Sequence, residues 1–275
     1  MSANPLKDYF RQPKIFLKLP SLGRFNDSTT ITGNVENLPI YGMNGMDKIL
    51  IKTPDALLNG ESTVRIIQSC CPNILNAWEM TTLDIESLLV AIRIATSGSE
   101  MDISENCPKC NVENTYELNV NKFLEHYNQC KFISDVMIGD LIVKLKPLTY
   151  KKSTEFGLEN FSLQKQITHI SNITDDKEKN NLATDIFVKF GILQNKILLS
   201  SIDYIETPNG VVSEFGFIKE WIDNCDGSDI AKIKETMDIN SKAWRLPLNT
   251  VNCTGCGYQH DVEVDLDQAS FFDIA

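Results

Sequence analysis

Two Cys-x-x-Cys pairs, Cys107-Pro108-Lys109-Cys110 and Cys253-Thr254-Gly255-Cys256, constrain this chain more than any other feature. Each spacing lets two thiolates approach one ion from a tight turn, and zinc takes four such ligands in a tetrahedron. Residues 111 to 252 lie between the pairs. Common four-cysteine zinc motifs leave about 15–20 residues there. Spacing alone therefore leaves the pairing open.

A hidden repeat bears on that question. Six, eight and ten places beyond Cys110 stand Tyr116, Leu118 and Val120; at the same offsets beyond Cys256 stand Val262, Val264 and Leu266. Glu117 and Asn119 intervene in the first segment, Glu263 and Asp265 in the second. Both segments read as period-2 strands with one apolar and one polar face. The two halves look like those of a zinc ribbon split by a largely helical insertion. Each half supplies only two ligands, so the halves must meet to close one Zn2+ site on Cys107, Cys110, Cys253 and Cys256. Four thiolates leave no open coordination position, which makes the ion structural rather than catalytic.

Other readings of the cysteines stand beside this one. The pairs could be redox-active, as in a thiol redox protein, but neither opens a helix inside a βαβ pattern. His260, four places after Cys256, could replace a thiolate. Cys70, Cys71, Cys130 and Cys225 lack ligand spacing and read as buried small apolar residues. His126 and His169 read as plain helix residues.

The charge narrows the function. The chain has a formal net charge of −11. Between Glu100 and Val120 five acids face one base, Lys109, and from Gly257 to the end five acids face no Lys or Arg. Such a surface repels a phosphate backbone, which counts against the rival reading of a zinc-ribbon regulatory or nucleic-acid-binding module. No apolar run reaches the roughly 18–20 residues of a membrane span, and the opening Met-Ser-Ala-Asn-Pro-Leu-Lys-Asp lacks a signal-peptide core. Eight cysteines without such a signal point to a reducing compartment. There is no phosphate loop, GxSxG or HExxH, and three scattered histidines give no catalytic arrangement, so no enzyme is expected. Asp175-Asp176 sits in a charged run and reads as solvated.

The organisation follows from periodicity. Residues 1–30 read as an extended N-terminal arm, with Ile15, Leu17 and Leu19 alternating as a short strand. This arm could lie along a neighbour or complete the protein's own sheet. Residues 31–129 read as an α+β core carrying the first knuckle, irregular from Gly33 to Gly45. Helices are expected from Thr53-Pro54 to Gly60, from Ser62 to about Cys70, and from Asp84 to Gly98. The last carries the stripe Ile85, Leu88, Leu89 and Ile92. Residues 130–245 read as the mostly helical insertion. It opens with a hairpin around Gly139-Asp140, followed by a long helix from about Lys177 to Asp203. In that helix Ile186, Phe190, Leu193 and Ile197 form one row, with Phe187, Leu198 and Ile202 beside it. Pro208-Asn209-Gly210 is a turn, and short helices follow near 214–223 and 228–238. Residues 246–275 hold the second knuckle and the C-terminal strand, approached by alternating Trp244, Leu246 and Leu248. The fold class is thus α+β.

The chain also resembles a family. Pro13 to Gly23, with Leu19-Pro20-Ser21-Leu22-Gly23 at its end, is similar to the leucine-proline-serine-x-glycine opening of the T-even-type phage baseplate hub proteins. Met46-Asp47-Lys48-Ile49-Leu50, Thr53 to Gly60, Cys71-Pro72-Asn73-Ile74, the helix Asp84 to Ala95 and the first knuckle follow in the family's order. The resemblance covers residues 13–125 and the C-terminal knuckle. Lys48 departs from it, standing where many relatives carry an acid. The resemblance implies a non-enzymatic component of a contractile tail's central baseplate hub, or a chaperone of its assembly. Its partners would be other baseplate and hub proteins, with neither nucleic acid nor membrane. It would work in the host cytoplasm during assembly or stay in the virion tail baseplate. Phe271-Phe272 is either a partner anchor or packing beneath the ribbon.

Overall fold

The computed structural model describes residues 4–52, 60–170, 175–264 and 271–272. Helices and strands are mixed, in keeping with the α+β class. The chain divides into two compact units, one of residues 1–130 with 244–275 and one of residues 131–243. Among the described residues no helix is long and apolar enough to cross a membrane.

The first unit starts with a strand that belongs to the protein's own fold. Strand β1 (Ile15–Leu17) pairs antiparallel with β2 (Leu38–Ile40), Ile15 opposite Ile40 and Leu17 opposite Leu38. The expected alternation holds: Leu17 and Leu19 are buried, while Phe16 and Lys18 face solvent. Strand β2 was not expected, because Pro39 sits at its centre. A two-stranded sheet tolerates this, since each strand is an edge and a missing N–H there can face away from the ladder.

Helix α1 (Gly45–Ile51) begins with a capping box between Asn44 and Asp47. Asp47 is buried and also accepts from Ser69 Oγ at 3.0 Å and from Arg11 at 3.4 Å. Lys48, where the family resemblance expects an acid, is exposed. The helix expected from Thr53-Pro54 falls outside the described residues. Helix α2 (Glu61–Cys70) follows Gly60, whose φ of 78° places it in the left-handed region that glycine enters without a Cβ clash.

Helix α3 (Thr82–Ser97) is the centre of this unit and packs against β1, β2, α2 and α4 (Asn121–Gln129). It is buried on nearly all sides, as its wide apolar stripe predicts, with Leu88, Val90, Ala91 and Ile92 fully covered. Between α3 and α4 runs the hairpin of β3 (Glu100–Asn106) and β4 (Glu113–Asn119), with the first knuckle at its tip.

The second unit holds a four-stranded antiparallel sheet in the order β5-β6-β7-β8. Strands β5 (Asp135–Ile138) and β6 (Leu141–Leu145) form the expected hairpin. Helices α5 (Tyr150–Ile170) and α6 (Asp176–Ser200) pack side by side, bridged by Lys196 and Glu159 at 2.8 Å. Asp175 is exposed as expected, but it also caps α6, accepting from Lys177 N and Glu178 N. Strands β7 (Ile202–Thr207) and β8 (Gly210–Val212) then complete the sheet. Helices α7 (Phe215–Asn224) and α8 (Gly227–Trp244) follow. Val136, Ile138, Val143, Leu145, Ile202 and Ile205 point to one side of the sheet. There Leu198, Ile218, Ile222 and Ile233 meet them in a common core.

Two expectations for this unit need correction. Ile202 starts a strand instead of ending the long helix: it pairs with Leu145 at the end of β6, and its own β-branched side chain suits that ladder better than helix continuation. Phe187 is 82% exposed instead of buried. Helix α6 turns Ile186, Leu193 and Leu198 inward, and Phe187 falls outside that narrow row.

The chain returns to the first unit at Trp244, which ends α8 where the alternating pattern had suggested a strand approach. Its indole stacks on Tyr127 of α4, ring centroids 6.2 Å apart. Strands β9 (Asn249–Asn252) and β10 (Gln259–Val262) then form a second hairpin with the second knuckle at its tip. Phe271 and Phe272 are both buried within this unit, and Arg93 of α3 donates to the Phe271 carbonyl at 3.1 Å. The two rings pack into the protein's own core and are not free to anchor a partner.

Candidate metal centre

Each knuckle closes its hairpin in the same way. Asn106 pairs with Glu113 across the first, and Asn252 with Gln259 across the second, one place before and three places after the cysteine pair. In the first knuckle Cys107 N donates to Val112 O, and Asn111 N donates to Cys107 O at 2.8 Å. In the second, Cys253 N donates to Tyr258 O, and Gly257 N donates to Cys253 O at 2.9 Å. The residue four places after the first cysteine is left-handed in both, Asn111 at φ 58° and Gly257 at φ 69°. Asparagine and glycine are the residue types that enter this region most readily. The repeat read from the strands after each pair therefore extends to the strands before them and to the turns themselves. The matched strands are unequal: β4 contains Tyr116 and Leu118, whereas β10 ends at Val262. Val264 is buried beyond the strand end, and Leu266 lies outside the described residues.

The two distant pairs meet. The Sγ atoms of Cys107, Cys110, Cys253 and Cys256 all lie within 4.8 Å of one another. Cys107 is 3.8 Å from Cys256, and Cys110 is 3.6 Å from Cys253. A disulfide needs about 2.05 Å, so these are four free thiols. Four sulfurs about 2.3 Å from one tetrahedral ion would stand roughly 3.8 Å apart. The donor set and its spacing fit such an ion. The first cysteine of each pair is buried and the second exposed, which again follows the repeat.

The surroundings are arranged around sulfur. Gly255 N lies 3.3 Å from Cys253 Sγ and donates to it. A Cβ on Gly255 would come within 3.3 Å of Val112, so a side chain here would press the second knuckle against the first. Lys109, the base of the first knuckle, sits 5.5 Å from the ring centroid of Tyr258 in the second. Burial works against ionisation of Cys253. The N–H groups of Cys256 and Gly255 and the thiols of Cys110 and Cys107 outweigh it and hold Cys253 down to about 6. Cys110 moves the other way. The Val112 N–H favours its thiolate, but its contacts with Cys256, Cys253 and Cys107, together with burial, push it up to about 12. Without an ion, Cys253 gives up its proton more readily than Cys110; a cation bound by thiolates would displace protons from the site.

The remaining candidates separate from this cluster. His260 is not in it: its ring lies against Tyr258 and Tyr116, centroids 6.1 and 6.0 Å away. Cys70 and Cys71 are buried as expected, and burial pushes their thiols up to about 12 and about 11. Cys130 and Cys225 are only partly buried, because they follow the ends of α4 and α7. Cys130 Sγ lies 3.5 Å from His126 Nε2 of the preceding turn.

Sequence reasoning missed the polar residues that tie the knuckles together. Asn114 Oδ1 accepts from Thr254 N at 2.8 Å and from Thr254 Oγ1 at 2.6 Å. The signal was available: Asn114 lies four places beyond Cys110, as His260 does beyond Cys256, just outside the offsets that carry the strand pattern.

Comparison with known proteins adds one match. No curated protein and no solved structure is detectably similar to the chain. A family model described as T4 bacteriophage base plate protein matches residues 12–273, running through both knuckles and the whole region between them. By that match the chain belongs to the family of T4-type bacteriophage baseplate proteins.

Proposed function

We propose that the protein is a non-enzymatic component or assembly chaperone of the tail baseplate hub, working through contacts with other baseplate proteins and held together by one structural zinc ion. The observation that carries the zinc is the meeting of four free thiols from residues so far apart in sequence. Zinc is the divalent ion for which an all-thiolate tetrahedron is a common structural site. Cys107, Cys110, Cys253 and Cys256 would hold it in a split zinc ribbon, and its charge would keep all four sulfurs as thiolates. The filled coordination sphere leaves no place for water or substrate, which supports a structural role. The acidic composition around both knuckles favours a protein partner with basic groups over a nucleic acid. The family match supports a place in the tail. The hub, the cytoplasmic assembly stage and the virion baseplate remain parts of this proposal.

The test is the zinc content of protein purified without added metal, beside Cys107→Ser and Cys253→Ser variants. One zinc per chain, lost in either variant, is the expected result. Zinc retained in one variant, or absent from the wild type, would overturn the shared site. Pull-down from infected-cell lysate with wild type and Cys253→Ser then tests the hub role. Baseplate proteins should be captured by the wild type and lost with the ion.

A further inference from the structure

We infer that Asn114 is the positioning residue of this centre: it seats the second knuckle on the first and orients Cys253 toward the shared ion. This rests on the zinc reading above. Asn114 is 3% exposed, and both ends of its amide are occupied. Oδ1 takes the Thr254 backbone N–H and hydroxyl, at 2.8 and 2.6 Å. Nδ2 donates to Val112 O at 2.8 Å and to Cys253 Sγ at 3.5 Å. The amide orientation follows from these partners, because Thr254 N can only donate and Val112 O can only accept. One side chain on the first hairpin therefore grips the backbone, the hydroxyl and the ligand sulfur of the second.

The repeat makes the grip one-sided. The residue that matches Asn114 in the second half is His260, and among the described residues both of its ring nitrogens are buried without a hydrogen-bond partner. No equivalent hold runs back from the second hairpin to the first knuckle through this position. The ligand sphere is symmetric, and the shell behind it is not. Groups behind a ligand typically change metal affinity by about 10–100-fold. An N–H donated to a zinc-bound thiolate also draws electron density from the sulfur and lowers its nucleophilicity.

The experiment uses the full-length chain and zinc itself, with affinity measured by competition against a chromophoric chelator. Asn114→Ala is expected to weaken binding by about 10–100-fold. Thr254→Val, which keeps shape and backbone but removes one donor, is expected to weaken it less. The double variant should be no weaker than Asn114→Ala, because Thr254 Oγ1 acts through the same amide. In zinc-loaded Asn114→Ala, the alkylation rate of Cys253 relative to zinc-loaded wild type should rise more than that of the equally buried Cys107; general loosening would raise the two alike. An affinity for Asn114→Ala within twofold of wild type, or an equal rise in the alkylation rates of Cys253 and Cys107, would overturn the inference while leaving the zinc site standing. A wild type that binds no zinc would overturn both.

Discussion

Ser21 gives both of its donors to one carboxylate: its backbone N–H reaches Asp84 at 3.0 Å and its hydroxyl at 2.6 Å, across 63 residues of sequence. Asn26 Nδ2 adds a third donor at 2.7 Å, while its Oδ1 accepts from Thr81 N at the start of α3. The serine of the leucine-proline-serine-x-glycine opening thus fastens the N-terminal segment to the central helix. Asp84 is fully buried, so removing its carboxylate strands three donors. Asp84→Ala should cost on the order of 2–4 kcal/mol, and Ser21→Ala about 1–3 kcal/mol. Urea unfolding of the two variants measures this. A loss below about 0.5 kcal/mol in both would show that the contact carries no stability.

The same carboxylate sets a pH dependence. Burial raises Asp84 above the ordinary carboxylate value, and the hydrogen bonds from Ser21 and Asn26 only partly offset it. A carboxyl raised in the folded state contributes stability that is complete below its unfolded value. That contribution is lost as pH rises through the folded value. Asp84→Asn does not titrate there. The stability advantage of wild type over Asp84→Asn should therefore shrink as pH rises from about 4, the ordinary carboxylate value, toward neutrality. Cysteine protonation and metal loss affect both proteins and cancel in the difference. A gap that stays constant or widens over this range would contradict the burial argument.

Arg93 ties the C-terminal segment to the middle of the chain. Its guanidinium is buried and donates to three carbonyls, of Phe271, Gly98 and Glu100, at 3.1, 3.2 and 3.3 Å. Burial lowers its pKa. Arg93→Met keeps much of the volume but leaves three acceptors behind, and should cost on the order of 2–4 kcal/mol. Arg93→Lys should recover only part of this, because an ammonium cannot present the planar fork of donors. Thermal melts of the pair provide the check; a full rescue by lysine would mean that the charge alone matters.

The elements that were legible in the sequence are those fixed by local pattern. The stripe on α3, the alternation at Ile15, Leu17 and Leu19, the Gly139-Asp140 hairpin and the family opening all depend on neighbours within a few residues. The meeting of Cys107 with Cys256 was legible for a different reason: half a ligand sphere demands its complement, and the repeat supplied it. What stayed hidden was decided between distant segments. Strand β2 runs through Pro39, which argues against a strand until its two-stranded context is known. Ile202 looks like the tail of a helix until β6 offers it a partner. Phe187 fits a helical apolar row, but the row that packs is narrower than the row that is apolar. Asn114 resembled any polar residue on a strand, because its partners Thr254 and Cys253 come from the other end of the chain.

The ring stack between Tyr127 and Trp244 bears on the region that separates the knuckles. The chain leaves the first unit just after Tyr127 and re-enters it at Trp244, so the two ends of residues 131–243 are anchored side by side. Those residues also carry their own core, built from Val136, Val143, Ile205, Ile222 and Ile233 among others. Replacing them with a short Gly/Ser linker should therefore leave both knuckles free to meet, since closing a loop of a few flexible residues costs little entropy. The shortened protein is expected to bind one zinc with an affinity within about tenfold of the full chain. The excised residues 131–243 should fold alone and unfold cooperatively. Loss of zinc from the shortened chain, with Tyr127 and Trp244 intact, would mean that the intervening unit itself holds the two halves of the site together.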